Sequence, residues 1–130
     1  MNFWEEIAHE NLLKNATGAD EKTINETEQR LGVQFAKDYK EMLAAVGACI
    51  CRGHELMGIS SFADMSTYQA TVEQRQLNPS IPSDWYIIER TGMDGVMVFQ
   101  AGDGVVYQIS PNQPPVKIAD TLSDYLNIEV

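Results

Sequence analysis

Three segments rich in β-branched and aromatic residues stand close together in the second half of the chain. They are Trp85-Tyr86-Ile87-Ile88-Glu89-Arg90, Val96-Met97-Val98-Phe99-Gln100 and Val105-Val106-Tyr107-Gln108-Ile109. Such residues fit a pleated surface. The stretches between them, 91–95 and 101–104, are short and contain glycine. A parallel crossover needs a dozen or more residues, so consecutive strands joined this closely must be antiparallel. The C-terminal half is therefore expected to be a meander. Behind Pro111, Pro114 and Pro115, Val116-Lys117-Ile118 reads as a short edge strand. Thr121-Leu122-Ser123-Asp124 has capping-box spacing and opens a last short helix through Tyr125 and Leu126.

The first half has helical periodicity. Phe3, Ile7 and Leu12 fall near one face of a helix within residues 2–13. Thr17 and Asp20 have the spacing of an N-cap and its third helical position, which predicts a second helix ending at Gly32. Its face is thinly apolar, with Ile24 and Leu31 as large residues, and it is expected at the surface. Phe35, Tyr39, Met42, Leu43 and Val46 form the strongest stripe, ended by Gly47. Residues 48–52 suggest a short strand, and Glu55-Leu56-Met57 is expected to be extended. Phe62, Met65, Tyr68 and Val72 predict a fourth helix that ends before Pro79.

Helices first and strands later argue for an α+β class, with N-terminal helices on an antiparallel sheet closed by a short C-terminal helix. With 130 residues, 44% of them hydrophobic, one domain over 1–130 can bury a core without staples. That core is expected to contain Leu31, Phe35, Tyr39, Leu43, Val46, Ile87, Val98 and Ile109. Residues 96–99 are apolar on both faces, whereas a strand with one wet face should alternate. Either helices cover both faces, or one face is kept for a partner.

The charge is −10, from 9 Lys+Arg against 19 Asp+Glu. Such a chain repels phosphate backbones and anionic membrane surfaces, so direct nucleic-acid or membrane binding is not expected. It either favours a basic protein partner or simply keeps the chain soluble. The N-terminal residues lack a basic segment followed by an apolar one, and no run approaches the ~18 apolar residues of a membrane span. The two cysteines do not make a secreted disulfide framework, and a cytoplasmic location is expected.

Catalytic and cofactor motifs are absent. Gly102-Asp103-Gly104 sits between strands, with no helix to present amides to a phosphate. Cys49, Cys51 and His54 are the one local group with metal-ligating or nucleophilic chemistry. Zinc pairs are usually spaced more widely and need a fourth ligand, and neighbours two apart rarely bridge without strain. Free thiols, no metal and no cofactor are expected, and an enzyme using this region is the weakest reading.

Leu31-Gly32-Val33-Gln34-Phe35-Ala36, Tyr39, Leu43 and Val46-Gly47, then Gly58-Ile59-Ser60, Asp84 to Ile88, Asp94-Gly95, Gly104 to Tyr107 and the closing 121–126 segment recur in a familiar order. Together they resemble the Smi/Knr family of the SUKH superfamily. Ala36 stands where that family usually has proline, which should soften the helix start without changing the fold. The resemblance implies an immunity protein that neutralises a toxin, often a nuclease, or alternatively a regulatory scaffold for an endogenous protein. It implies no catalytic residues. From residue 76 onward there are seven acids against two bases, a balance of −5. Asp84, Glu89, Asp94 and Asp103 are the residues expected to meet the basic partner.

Overall fold

The computed structural model describes residues 2–13, 16–93 and 95–128, with Ala63 described by its backbone alone. The chain begins with helix α1 (Phe3–Glu10), capped by the Asn2 side chain, which accepts from Glu5 N–H at 2.8 Å. Helix α2 (Glu21–Leu31) is capped by Asp20, which accepts from Thr23 N–H at 2.8 Å. The cap thus lies three residues later than Thr17. The reason is tertiary: Ala19 N–H is tied to Leu43 O at 2.8 Å, which holds the approach to α2 extended. Gly32 ends α2 at φ 70°, the left-handed conformation expected of a C-terminal glycine. Ile24, Thr27, Glu28 and Leu31 are all buried, so α2 carries a narrow but real packing face.

Helix α3 (Lys37–Ala45) buries Tyr39, Met42 and Leu43 completely. Its N-cap, Ala36, has no capping side chain. The Ala36 N–H, which proline would lack, donates to Tyr86 Oη at 2.9 Å. Tyr86 Oη donates onward to Gln100 Oε1 at 2.7 Å. Gln100 Nε2 reaches Asp38 Oδ1 and Gly104 O, both at 3.0 Å. Asp38 Oδ2 accepts from Leu122 N–H at 2.9 Å. A satisfied buried chain of this kind fixes relative placement as well as adding stability. Here it ties the start of α3 to the sheet and to the C-terminal helix.

Strands β1 (Cys49–Cys51) and β2 (His54–Leu56) form a hairpin. Its two turn residues, Arg52 at φ 53° and Gly53 at φ 80°, are both left-handed, as a twist-matched two-residue turn requires. A 3-10 turn at Ala63–Met65 precedes helix α4 (Thr67–Leu77), capped by Ser66. The helix expected from Phe62 therefore starts five residues later. Gly58 N–H binds Met65 O and Thr67 N–H binds Gly58 O, both at 2.9 Å, and this short parallel bridge keeps residues 65 and 66 out of the helix.

The meander is present as expected: β3 (Tyr86–Arg90), β4 (Met97–Gln100), β5 (Val106–Ile109) and β6 (Val116–Ala119) lie in sequence order, all antiparallel. Helix α5 (Leu122–Leu126) closes the chain, with Thr121 as its cap. One sheet face, through Tyr86, Ile88, Val98 and Val106, joins the main core with α1, α2, α3 and α5. The other, through Ile87 and Phe99, packs on Met57, Ala70 and Ile81. The free edge of β3 is covered. Thr67 Oγ1 donates to Ile87 O at 2.6 Å, Ile87 N–H donates to Thr71 Oγ1 at 3.1 Å, and Met57 N–H donates to Ile88 O at 2.8 Å. An exposed edge is a template for unwanted pairing, and α4 removes it.

Seven of the eight expected core residues are buried; Ile109 is not, lying half-buried at the rim of the second face. Leu43→Ala should cost about 2–5 kcal/mol, because the side chain is fully buried and its loss leaves a cavity. Urea unfolding measures this, and a cost below about 0.5 kcal/mol would mean that α3 packs through another face.

Candidate protein-binding face

The four acids singled out from the sequence have different fates. Asp84 and Asp103 are exposed, and Asp94 lies outside the described residues. Glu89 is only 6% exposed and is not available to a partner. The cause is a β-bulge: Ile87 pairs with Phe99 but Glu89 pairs with Val98. One extra residue in β3 turns Glu89 away from the face of Ile87 and onto the main-core face of Val98.

Inside, Glu89 is fully engaged. Oε1 accepts from His54 Nδ1 at 2.9 Å and from the Tyr125 hydroxyl, and Oε2 accepts from Glu55 N–H at 2.6 Å. The other ring nitrogen of His54 faces Ile128 O at 3.0 Å. Both nitrogens face acceptors, so the ring must carry two protons to satisfy them. Burial opposes the imidazolium, but the hydrogen bonds to Glu89 and Ile128, with the Glu89 charge, outweigh it and hold the pKa above its ordinary value. This buried ion pair ties β2, β3 and α5 together.

That arrangement bears on the nearby thiols. Cys49 and Cys51 are buried and free, with sulfurs 3.8 Å apart. The hydrogen bond to Cys51, then burial, pushes the Cys49 thiol up, away from the reactive thiolate. With both His54 nitrogens engaged, the ring has no free position from which to act as a base. Among the described residues, no group of three or more His, Cys, Asp or Glu side chains is placed to hold a metal. A thiol reagent should modify the native protein slowly and two thiols per chain after unfolding, as followed by absorbance; rapid native modification would show that the strand opens.

One exposed acid, Asp84, leads into a different feature. Trp85, directly after Asp84, stacks on Tyr107 of β5, with ring centroids 4.2 Å apart and planes 11° from parallel. Both side chains are half-buried, beside Phe99. Helix α4 covers the β3 side of this face, while Met97 and Ile109 remain partly open and Leu77 at the end of α4 is 77% exposed. Two cations on this side pair with acids, and a third, Arg75, donates to Leu31 O and Ser83 O, both at 2.8 Å. Arg90 pairs with Glu73 at 3.2 Å, and Lys117 pairs with Asp120. Asp103 holds its own turn, accepting from Val105 N–H at 3.0 Å. Among the described residues neither Asp84 nor Asp103 forms an ion pair.

Trp85 and Tyr107 are 22 positions apart and read in the sequence only as β-formers. The local signal was a tryptophan next to an exposed acid at a strand entry, and only the sheet register makes it a stacked pair. A second feature, a hollow of about 310 Å³ lined by Thr17, Asp20, Thr23, Val46 and Ser60, is chemically plain, since Asp20 is used as the cap of α2. Among the described residues no helix is long and apolar enough to cross a membrane.

The glycines of the resemblance motifs have a structural basis. A Cβ on Gly58 would lie 1.8 Å from Gly47 O, and one on Gly47 would lie 2.4 Å from Thr17 O. Three backbone segments therefore cross at contact distance near Gly47. Comparison with curated proteins gave no match. A family model described as SUKH_5, SMI1-KNR4 cell-wall, matches residues 2–130. Helices on an antiparallel meander, glycines at the crossing of Gly47 with Gly58, and a match over almost the whole length together place this chain in the SMI1-KNR4 (SUKH_5) family.

Proposed function

We propose that the chain is an immunity protein, which binds and neutralises a basic, nuclease-type bacterial toxin without catalysing a reaction. The observation that carries this reading is the charge distribution: −10 overall, with Asp84 and Asp103 exposed and unpaired beside a half-open aromatic face. A toxin that grips phosphate must itself be basic, and an acidic protein can meet that surface and block it. The family membership supports a protein-binding role, and the engagement of His54 by Glu89 and Ile128 argues against nucleophilic chemistry at Cys49 or Cys51.

The decisive experiment is co-expression with the toxin candidate that this protein captures in a pull-down from its host's lysate. Restored growth supports the proposal; undiminished killing while the protein is present and folded contradicts it. With that toxin in hand, surface plasmon resonance should show association slowing as salt rises. Asp84→Asn and Asp103→Asn should each lower the on-rate by about a few-fold and leave the off-rate little changed, as expected of rim charges. A salt-independent on-rate would remove the electrostatic account. The family description names the cell wall rather than a toxin, which favours a second reading: a regulatory scaffold for an endogenous protein in the cytoplasm. It predicts no relief of toxicity.

A further inference from the structure

We propose that the Trp85–Tyr107 stack is the centre of the partner interface and receives an arginine side chain of the basic partner. The guanidinium would stack on an outer ring face of the pair while Asp84 and Asp103 balance its charge. The inference rests on the protein-binding reading above and names the chemistry that this reading leaves open.

Two near-parallel rings 4.2 Å apart cover each other's facing sides and leave an outer, electron-rich ring face held in one orientation. Phe99 supports the indole from the sheet and the β5 backbone holds the phenol, so little conformational freedom remains to be lost on binding. A cation over such a face is attracted by the ring quadrupole. A planar guanidinium can stack and still direct N–H groups at a carboxylate, which a lysine ammonium cannot do together. Such contacts already occur in the molecule, with the Arg30 guanidinium 4.0 Å from the centroid of Tyr68 and that of Arg52 5.4 Å from the centroid of Phe3.

The charges around the stack select the partner. Lys117, on the neighbouring strand, feels both Tyr107 and Asp103 but is tied to Asp120. Arg90 is tied to Glu73. Arg90 and Lys117 are thus neutralised, the Arg75 guanidinium is held by the Leu31 and Ser83 carbonyls at 2.8 Å, and Asp84 and Asp103, which form no ion pair among the described residues, remain for an incoming positive group. A second copy of this chain is a poor occupant, because each copy carries −10. Tryptophan, tyrosine and arginine are also the residues that dominate binding energy at the centre of interfaces, where half-buried rings exclude water.

The test uses the full chain carrying Trp4→Phe, so that Trp85 is the sole indole. Nona-arginine and nona-lysine peptides are titrated at equal ionic strength while indole emission is followed. The arginine peptide should change Trp85 emission and bind about tenfold more tightly than the lysine peptide. Tyr107→Leu, and separately Asp84→Asn with Asp103→Asn, should each weaken it by about fivefold or more while circular dichroism stays native. Equal affinities for the two peptides, or arginine binding that leaves Trp85 emission unchanged, would overturn the proposal. Co-expression with the toxin separates this idea from the immunity reading. If the wild type protects and a folded Trp85→Leu variant protects equally well, the arginine site is wrong and immunity stands. If arginine-selective binding at Trp85 is found but the wild type gives no protection, the immunity reading fails and the site stands.

Discussion

Gly58→Ala is expected to cost about 4 kcal/mol or more, well above the typical cost of a single substitution. A Cβ at this position would sit 1.8 Å from Gly47 O and 2.9 Å from Leu43 Cδ2. The side chain of Leu43 could give a little, but the Gly47 carbonyl cannot retreat, because it accepts from Ile59 N–H at 2.9 Å and Gly47 itself is held by α3. Relief would require separating segments that converge on the main core. Gly32→Ala is the control. Gly32 has φ 70° with nothing within 4 Å, so alanine there meets backbone strain alone, about 1–2 kcal/mol. Urea unfolding of both variants compares a clash with strain. A Gly58→Ala variant as stable as Gly32→Ala would mean that the crossing is looser than these distances imply.

Glu89→Gln should cost about 3–5 kcal/mol, the expected cost of breaking a buried, hydrogen-bonded ion pair. It leaves His54 facing an amide at Nδ1 and the Ile128 carbonyl at Nε2, with Tyr125 also deprived of its carboxylate. The pair carries a pH signature. The pKa of His54 in the folded protein is raised, so the stabilisation is complete below the unfolded value of about 6.5 and is lost as pH rises through the folded value. Wild-type stability should therefore decline on the alkaline side of that window, and Glu89→Gln should flatten this decline as well as lower stability throughout. The groups facing His54 are Glu89 from β3, Tyr125 from α5 and Cys51 from β1. Thermal melts of both proteins across neutral to alkaline pH decide it. Identical pH slopes would show that the imidazole is not the titrating group.

Much of this architecture is legible in local patterns. Phe35 to Val46 repeats at helical spacing, and α3 buries Tyr39, Met42 and Leu43 accordingly. Short glycine loops after Arg90 and Gln100 demand antiparallel pairing, and the sheet has the order β3-β4-β5-β6. The spacing of Thr121 to Asp124 marks a cap, and the Thr121 hydroxyl accepts from Asp124 N–H at 3.1 Å. These signals act over a few residues, so the sequence carries them whole. The departures involve residues far apart in the chain. Asp20 replaces Thr17 as the cap of α2 because Leu43 holds Ala19. The fourth helix begins late because Gly58 bridges the segment before it. Ile109, on an apparently inward-facing strand, meets only a half-covered face.

The same division runs through the candidate site. Its negative balance and the exposure of Asp84 and Asp103 at turns followed from the sequence alone, because charge is additive and turns lie at surfaces. The chain order of helices and strands, and the glycines that end or join them, were likewise determined locally. Whether Glu89 faced a partner or the interior was not, since one bulged residue reverses which face a strand side chain occupies. Nor could local pattern bring Trp85 onto Tyr107, or His54 onto Glu89 and Ile128, because each contact depends on register between segments separated by other elements. Composition and periodicity determined what kind of domain this is; long-range packing alone decided which of its polar and aromatic side chains remain free to meet another molecule.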